Sequence, residues 1–460
     1  MNQIASLICV LAIMGLFYLD RDAGARTMKA VWIPVLWFLI GGSRPVSVWL
    51  NIGSSVSQAQ QYLEGSPLDA AVFGILIVGS VLILNRRADQ VREILGRNTP
   101  MLIYFAYCAI SILWSDFPFV ALKRWTKAMG DVAMILVILT DSNPLMATKR
   151  YFSRATFLLL PLSVLLIKFY PDLGTSLDGH VVMYNGVAET KNSLGMICIV
   201  CGLGSLWSFM GAYEDREMEH RERHLIAHGA MLATAAVLVV IANSITSLSC
   251  LVLGGTVMVL SGQRLKRNRI INVHALISGA LALPLFAIFV DTMGTLLSSL
   301  GRNSTLTGRT AIWSAVLSMH TNVLFGTGFE SFWLGSRLQS VWGLTGYGLQ
   351  EAHNGYIELY LNLGWIGLLL LGYMTVIGYR RAVAVLSYDP HAGRLRLALI
   401  TAALVYSLTE AGFRIMHPMW VPFLMAITVV PQSLQHKEGQ RTSELPLTRA
   451  VPPSPVRILR

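Results

Sequence analysis

The stretch EAHNGYIELYLNLGWIGLLLLG, Glu351–Gly372, decides the fold. It opens polar and, from Tyr356 onward, becomes an apolar run that starts a bilayer-crossing helix; such a helix takes about 20 mostly apolar residues. Asn354, Glu358 and Asn362 recur at i, i+4 and i+8. They form a polar ridge entering the membrane. A carboxylate there is costly unless it faces protein or water, which marks Glu358 as a candidate functional acid. His353 stands at the mouth of the ridge, Tyr356 lies one turn on, and Tyr360 continues that side. Gly364 and Gly367 predict the close approach of another helix.

Working outward, apolar runs of similar length recur along the chain. Of 460 residues, 54% are apolar and only 13% charged, with mean hydropathy +0.57. Soluble domains carry about 25% charged residues, so an ordinary water-soluble enzyme is excluded, as is a disordered or collagen-like chain. Runs at 4–19, 31–50, 68–84, 100–114, 125–140, 152–169, 193–211, 225–242, 245–261, 271–290, 356–379, 395–411 and 417–431 are each bounded by charge or by Pro, Gly and Asn. Backbone in lipid must satisfy its own hydrogen bonds, so these runs are read as helices. The fold expected is all-α: a polytopic integral membrane protein with about 12–13 transmembrane helices. The chain divides into N-terminal spans (1–110), central spans (111–290), one long loop (291–355), C-terminal spans (356–431) and a Pro-rich, basic tail (432–460) read as disordered. The first run lacks a basic leader and a cleavage site and is read as an anchor.

Net charge is +11. Most Lys and Arg fall in alternate connections, among them Arg86, Arg87, Lys149, Arg150, Arg264, Lys266, Arg380, Arg381 and the tail. By the positive-inside rule these connections and the C-terminus are cytoplasmic, which places the long loop outside and accounts for the charge without nucleic acid. Arg44, Lys123, Arg124, Lys127, Lys168, Lys191, Arg302, Arg309, Arg337 and Arg414 break the rule on the outer side. They are substrate-binding candidates, or partners of Asp116, Asp131, Glu189 and Glu410. Lys127 and Asp131, one turn apart in a span, read as a salt bridge or relay. The alternating charges of 212–224 read as a solvated linker. Five cysteines fall inside apolar runs, and the Cys198–Cys201 pair is read as packing. Asp20-Arg21-Asp22 has the DxD pattern of metal-dependent glycosyltransferases but falls on the cytoplasmic side and is read as coincidental, and no other cluster argues for a metal.

Within the loop, Thr307 or Gly308 is expected to cap a helix running to about His320. Ile312, Trp313, Val316 and Leu317 would share its apolar face, lying on the membrane surface. Arg309 falls in the first turn, where free N–H groups and a guanidinium fork suit phosphate. GTGFESFW, Gly326–Trp333, follows.

WSDFP (114–118), ETKNSLG (189–195), SITSL (244–248), TLTGRTAIW (305–313), GTGFESFW and AHNGYIELYLNLGWIGL (352–368) together resemble the O-antigen ligase/polymerase superfamily, in particular its exopolysaccharide-polymerase branch. One departure is Thr190, where a histidine is expected. The resemblance implies a GT-C-like architecture in the bacterial inner membrane and transfer of a glycan from undecaprenyl diphosphate at the periplasmic face. The acceptor would be another lipid-linked repeat or lipid A-core, with membrane lipids and a chain-length regulator as further partners. It implies that Arg309 and His353 carry the reaction, with a weaker transfer to Arg124. A polyprenyl diphosphate is already a good leaving group, so the expected reaction is one inverting displacement without cofactor or metal. Arg309, helped by Arg124, Lys191, Arg337 and Arg414, would stabilise the departing diphosphate. His353, with an ordinary pKa near ~6.5, would act as base, and Glu358 would orient or replace it. Trp313, Phe332, Trp333 and Tyr356 are expected to stack on sugar. A secondary transporter of an anionic solute is the alternative from another class.

Overall fold

The computed structural model describes residues 1–21, 29–51, 65–178, 180–262, 269–292, 305–319, 321–345 and 348–430. The tail, the opening of the long loop with Arg302, and Asp22 lie outside these. Every expected span coincides with helix, and among the described residues the only strands are a small antiparallel pair, Thr175–Asp178 and Val181–Tyr184. Among the described residues, seven helices are long and apolar enough to cross a membrane: Asn2–Leu19, Pro67–Asn85, Pro144–Phe169, Lys191–Glu214, Arg221–Ile241, Ile245–Gly262 and Gly355–Tyr388. The protein is an all-α, multi-pass membrane protein. The expected 31–50 span is broken: helix covers Trp32–Gly42 and resumes only over Val46–Trp49, after Pro45.

Local chemistry sets the helix starts. Asn143 Oδ1 accepts from Met146 N (2.8 Å) ahead of Pro144, Thr190 Oγ1 from Ser193 N (3.1 Å), and Asp389 Oδ1 from Ala392 N (2.9 Å) ahead of Pro390. These side chains satisfy N–H groups that have no partner inside the helix, and Pro at the first position loses no bond. Thr190, the departure from the expected histidine, is thus a cap. Lys191–Glu214, which it starts, is buried along most of its length and runs through the middle of the bundle.

The buried acid in the Pro118–Leu139 helix ties three segments together. Asp131 accepts from Trp37 Nε1 (2.8 Å) and Met416 N (2.9 Å). It does not pair with Lys127, whose ammonium lies over the Phe73 ring (5.4 Å), so the expected Lys127–Asp131 pair is replaced by a structural lock. A buried carboxylate needs such donors, and a flexible ammonium finds an aromatic face instead.

Gly355–Tyr388 is interrupted at Gly364, whose φ of 64° lies in the left-handed region. Residues 322–328 pack into the break. Trp365 N donates to Val323 O (3.0 Å), Ile366 N to Leu324 O (3.2 Å), Thr327 N to Leu361 O (3.0 Å) and Gly328 N to Asn362 O (2.9 Å). A Cβ on Gly364 would stand 2.2 Å from Leu324 O. The close approach read from Gly364 is therefore real, but what approaches is loop backbone rather than a helix.

The loop builds its own small core. Val316, Phe332, Trp333, Leu338, Val341, Ala352 and Leu361 are buried together, with Ile312 and Trp313 packed against them. The helix expected to lie on the membrane spans Thr305–Leu317 and turns this face into the protein, leaving Leu317 49% exposed.

Candidate functional site

The 351–355 segment is pinned to 407–410. Gly355 N donates to Ser407 O (2.8 Å) and Glu410 O (3.0 Å), and Asn354 Nδ2 to Leu408 O (2.9 Å), while Asn354 Oδ1 caps the helix by accepting from Tyr356 N and Ile357 N. This clamp holds His353 at φ 49°, a conformation disfavoured for a side chain with a Cβ. Strain of this kind persists where surrounding structure over-determines it, as at functional sites.

Five ionisable side chains converge there. Arg309 Nη2 lies 2.6 Å from Glu410 Oε1, and Arg309 Nη1 donates to Thr409 O. His353 Nδ1 stands 3.2 Å from Glu410 Oε2 and 3.0 Å from Glu351 Oε1. Arg414 Nη1 completes the chain at 2.9 Å from Glu351 Oε2, and Asn192 Nδ2 donates to Glu410 Oε1 (2.9 Å). The network thus runs Arg309–Glu410–His353–Glu351–Arg414. Arg414 also lines a cavity of about 330 Å³ with Ser43, Glu189, Ser193, Met416 and His417.

The electrostatics change the expected role of the histidine. Burial alone would lower its pKa, but hydrogen bonds and charge from Glu351 and Glu410 raise it to about 10. Burial would likewise raise Glu351, yet the His353 bond and the Arg414 charge bring it down to about 2. At neutral pH the resting site holds an imidazolium, not the ready base inferred from an ordinary pKa. Glu351, His353 and Glu410 offer ligand atoms within 4.8 Å of one another. Two guanidiniums already compensate those carboxylates and oppose a cation.

The other candidates fall into different places. Glu358 is buried and accepts from Trp333 Nε1 (2.8 Å) and Ala352 N. Asn362 Oδ1 accepts from Ser331 N (2.8 Å) and Phe332 N (3.0 Å). The polar ridge is thus where the loop docks, and Glu358 spends its oxygens on protein donors there. Arg124 donates to Glu330 O, and Arg337 bonds Phe332 O (3.3 Å) and pairs with Asp116 (2.6 Å), so both secure the GTGFESFW segment. Lys191 opens its helix, but its neighbour Asn192 makes the contact with Glu410. Phe332 and Trp333 are 0% and 2% exposed and offer no face to a sugar, contrary to expectation. Trp313 is half-buried and donates to Ala352 O (2.8 Å); Tyr356, also half-buried, donates to Leu404 O (3.0 Å). Glu351 and Asn192 were missed, and Glu410 was read only as a pairing partner of an outer-side basic residue. The signal for the two acids was there: each sits at a span end within reach of an arginine that breaks the positive-inside rule.

A model of the O-antigen ligase family matches residues 229–372, from the Arg221–Ile241 helix through the loop and past the break at Gly364. The match contains Arg309, Glu351 and His353 and stops short of Glu410 and Arg414. The resemblance to the O-antigen ligase/polymerase superfamily is thereby borne out: the chain is a multi-pass membrane protein with a stretch, 229–372, similar to the O-antigen ligase family. It is 25% identical over 301 residues to the exopolysaccharide production protein ExoQ of Rhizobium meliloti (strain 1021). That match covers 63% of this chain and 66% of the relative, just under two thirds of the relative's length.

Proposed function

We propose that the chain transfers a glycan from a polyprenyl diphosphate, undecaprenyl diphosphate in a bacterial inner membrane, to a second glycan at the periplasmic face, polymerising exopolysaccharide repeats. The observation that carries this reading is the joining of Arg309 and His353, far apart in sequence, through Glu410 beside the cavity lined by Arg414. An incoming diphosphate competes with Glu410 and Glu351 for the two guanidiniums. As Arg309 and Arg414 turn to phosphate, they stabilise the negative charge that develops on the leaving group. His353 gives its Nε2 proton to water while Nδ1–H stays between Glu410 and Glu351, and the freed Nε2 takes the acceptor hydroxyl proton. The acceptor oxygen bonds to the anomeric carbon as the bond to the diphosphate breaks, with inversion. Glu358 serves as a positioning residue.

The relative's role in exopolysaccharide production favours the polymerase reading, while similarity to the O-antigen ligase family favours lipid A-core as acceptor. Deleting the gene and sizing the lipid-linked and free glycans separates them. Accumulated single repeats are expected; accumulated long lipid-linked chains would indicate the ligase. Unchanged glycan in His353→Ala, at normal membrane abundance, would count against catalysis and for a transporter or scaffold. Labelling that reached Arg309 and His353 only from the cytosol would also overturn the proposal.

A further inference from the structure

A second convergence lies at the other end of the bundle. The Lys191–Glu214 helix starts beside Glu410, and Arg221 Nε closes its far end by donating to Ala212 O (2.8 Å). From Arg221 the next helix begins, and its first turns carry His224 and His228 at i and i+4. That spacing puts both imidazoles on one helix face. Against them stands Asp20, at the C-terminal end of Asn2–Leu19. Asp20 Oδ1 lies 3.0 Å from His224 Nδ1 and 2.9 Å from His228 Nε2. Both histidines are 1% exposed, and their ligand atoms and that of Asp20 lie within 4.8 Å of one another. The end of the alternating-charge segment is therefore buried, not solvated, at His224.

We propose that Asp20, His224 and His228 form a binding site for a divalent first-row transition metal that ties the first helix to the bundle. Two imidazoles and a carboxylate are the ligand set for such ions, and the set leaves positions open for water. The two N···O separations also fit: cis ligands around an ion at about 2.1 Å stand about 3.0 Å apart. One carboxylate oxygen faces both rings, each through a different nitrogen, so the three atoms form a corner into which an ion moves with little rearrangement. His228 Nδ1 is buried and finds no protein partner in the structure, leaving that ring held through Nε2 alone. The first helix needs such a tie, since only Ala5, Cys9 and Leu16 of its 18 residues are buried. The first aspartate of the DxD pattern thus has a candidate metal role, with histidines as partners and away from the candidate site.

The test uses the full chain in detergent, purified through a tag without histidine, incubated with zinc and passed through a desalting column. Wild type is expected to retain about one zinc per chain and to melt at higher temperature with zinc than with chelator. His353→Gln, at the other end, should retain it equally. His224→Asn with His228→Gln keeps hydrogen-bonding side chains for Asp20 and is expected to fold yet lose the zinc and the melting shift. Cobalt in place of zinc should give visible d–d absorption in wild type that the double variant lacks. Zinc content equal in wild type and the double variant would overturn the proposal. So would a wild type that neither retains zinc nor shifts its melting, leaving Asp20 as a hydrogen-bonded clamp only.

Discussion

At one end of the bundle Glu351, His353 and Glu410 come together; at the other, Asp20, His224 and His228 do. Both combine carboxylate with imidazole, and the 24-residue Lys191–Glu214 helix, roughly 36 Å long, connects the two regions. The difference lies in what surrounds the carboxylates. Arg309 and Arg414 stand at 2.6 and 2.9 Å from the two glutamates, so the first cluster, with a protonated His353, carries net positive charge and borders a cavity. Among the described residues Asp20 meets imidazoles and no guanidinium at hydrogen-bond distance, and the second cluster is shut in. Carboxylate and imidazole prepare an anion site where guanidiniums balance the acids one for one, and a cation site where none pairs with the acid.

The sharpest way to break this comparison is Arg309→Ala. Losing a donor aimed at developing charge costs about 100- to 1,000-fold in rate. Glycan transfer from lipid-linked repeats should fall by at least about 100-fold, with membrane abundance unchanged on immunoblots. Arg309→Lys should recover only part of it, because an ammonium cannot span Glu410 and Thr409 O together. Asp20→Asn should leave transfer within about twofold; a comparable loss there would show that the two ends are not independent.

Glu410→Gln sharpens the comparison within the first cluster. It removes one of the two carboxylates that raise His353. The pH–rate profile should therefore shift toward lower pH while the rate drops, by about 10- to 100-fold. A drop with an unmoved profile would assign Glu410 a packing role only.

Much of the first cluster was legible in the sequence, and the reason is physical. Arg309 and His353 stand out because a basic residue on the outer side and a polar residue at the mouth of a span are both unfavourable without a reason. Glu358 stood out by the same logic, but the pattern did not reveal what it faces. An intramembrane acid must have partners, but patterning does not say whether they are substrate or protein, and here they are Trp333 and the Ala352 backbone. Phe332 and Trp333 failed likewise, since aromatic residues in a loop read as exposed until the loop is seen to have a core. Asp20, His224 and His228 were out of reach. His224 ends a run of charges that reads as solvated, His228 falls in the apolar run 225–242, and their partner is some 200 residues away. Helix positions were readable nearly everywhere; the break at Gly364 was not, because the loop backbone that fills it comes from 322–328.

That buried acid gives the next test. Glu358→Gln keeps the shape but turns an amide NH2 toward Trp333 Nε1 or Ala352 N, both donors. An unsatisfied buried donor costs about 1–3 kcal/mol. The variant should melt lower while the transfer rate per folded molecule stays within about threefold. A large rate loss without a melting change would return Glu358 to the reacting groups.

The smallest effect separates the two ends by pH alone. His353 has a folded pKa raised to about 10 from an ordinary value near 6.5. Its stabilisation is complete below about 6.5 and is lost as pH rises through about 10. Glu351, held down at about 2, and Asp20, also lowered, contribute stability above their ordinary carboxylate values and lose it as pH falls. Acid therefore weakens both ends and alkali only the first. Between pH 7.5 and 10.5 the wild-type melting temperature should fall by about 2 °C more than that of His353→Gln, using the few degrees per kcal/mol typical of chains this size. Asp20→Asn should keep the full alkaline drop, because its carboxylate is ionised across that whole interval. Equal alkaline slopes in wild type and His353→Gln would mean that His353 is not held protonated by Glu351 and Glu410, and the proton relay would then need a different starting state.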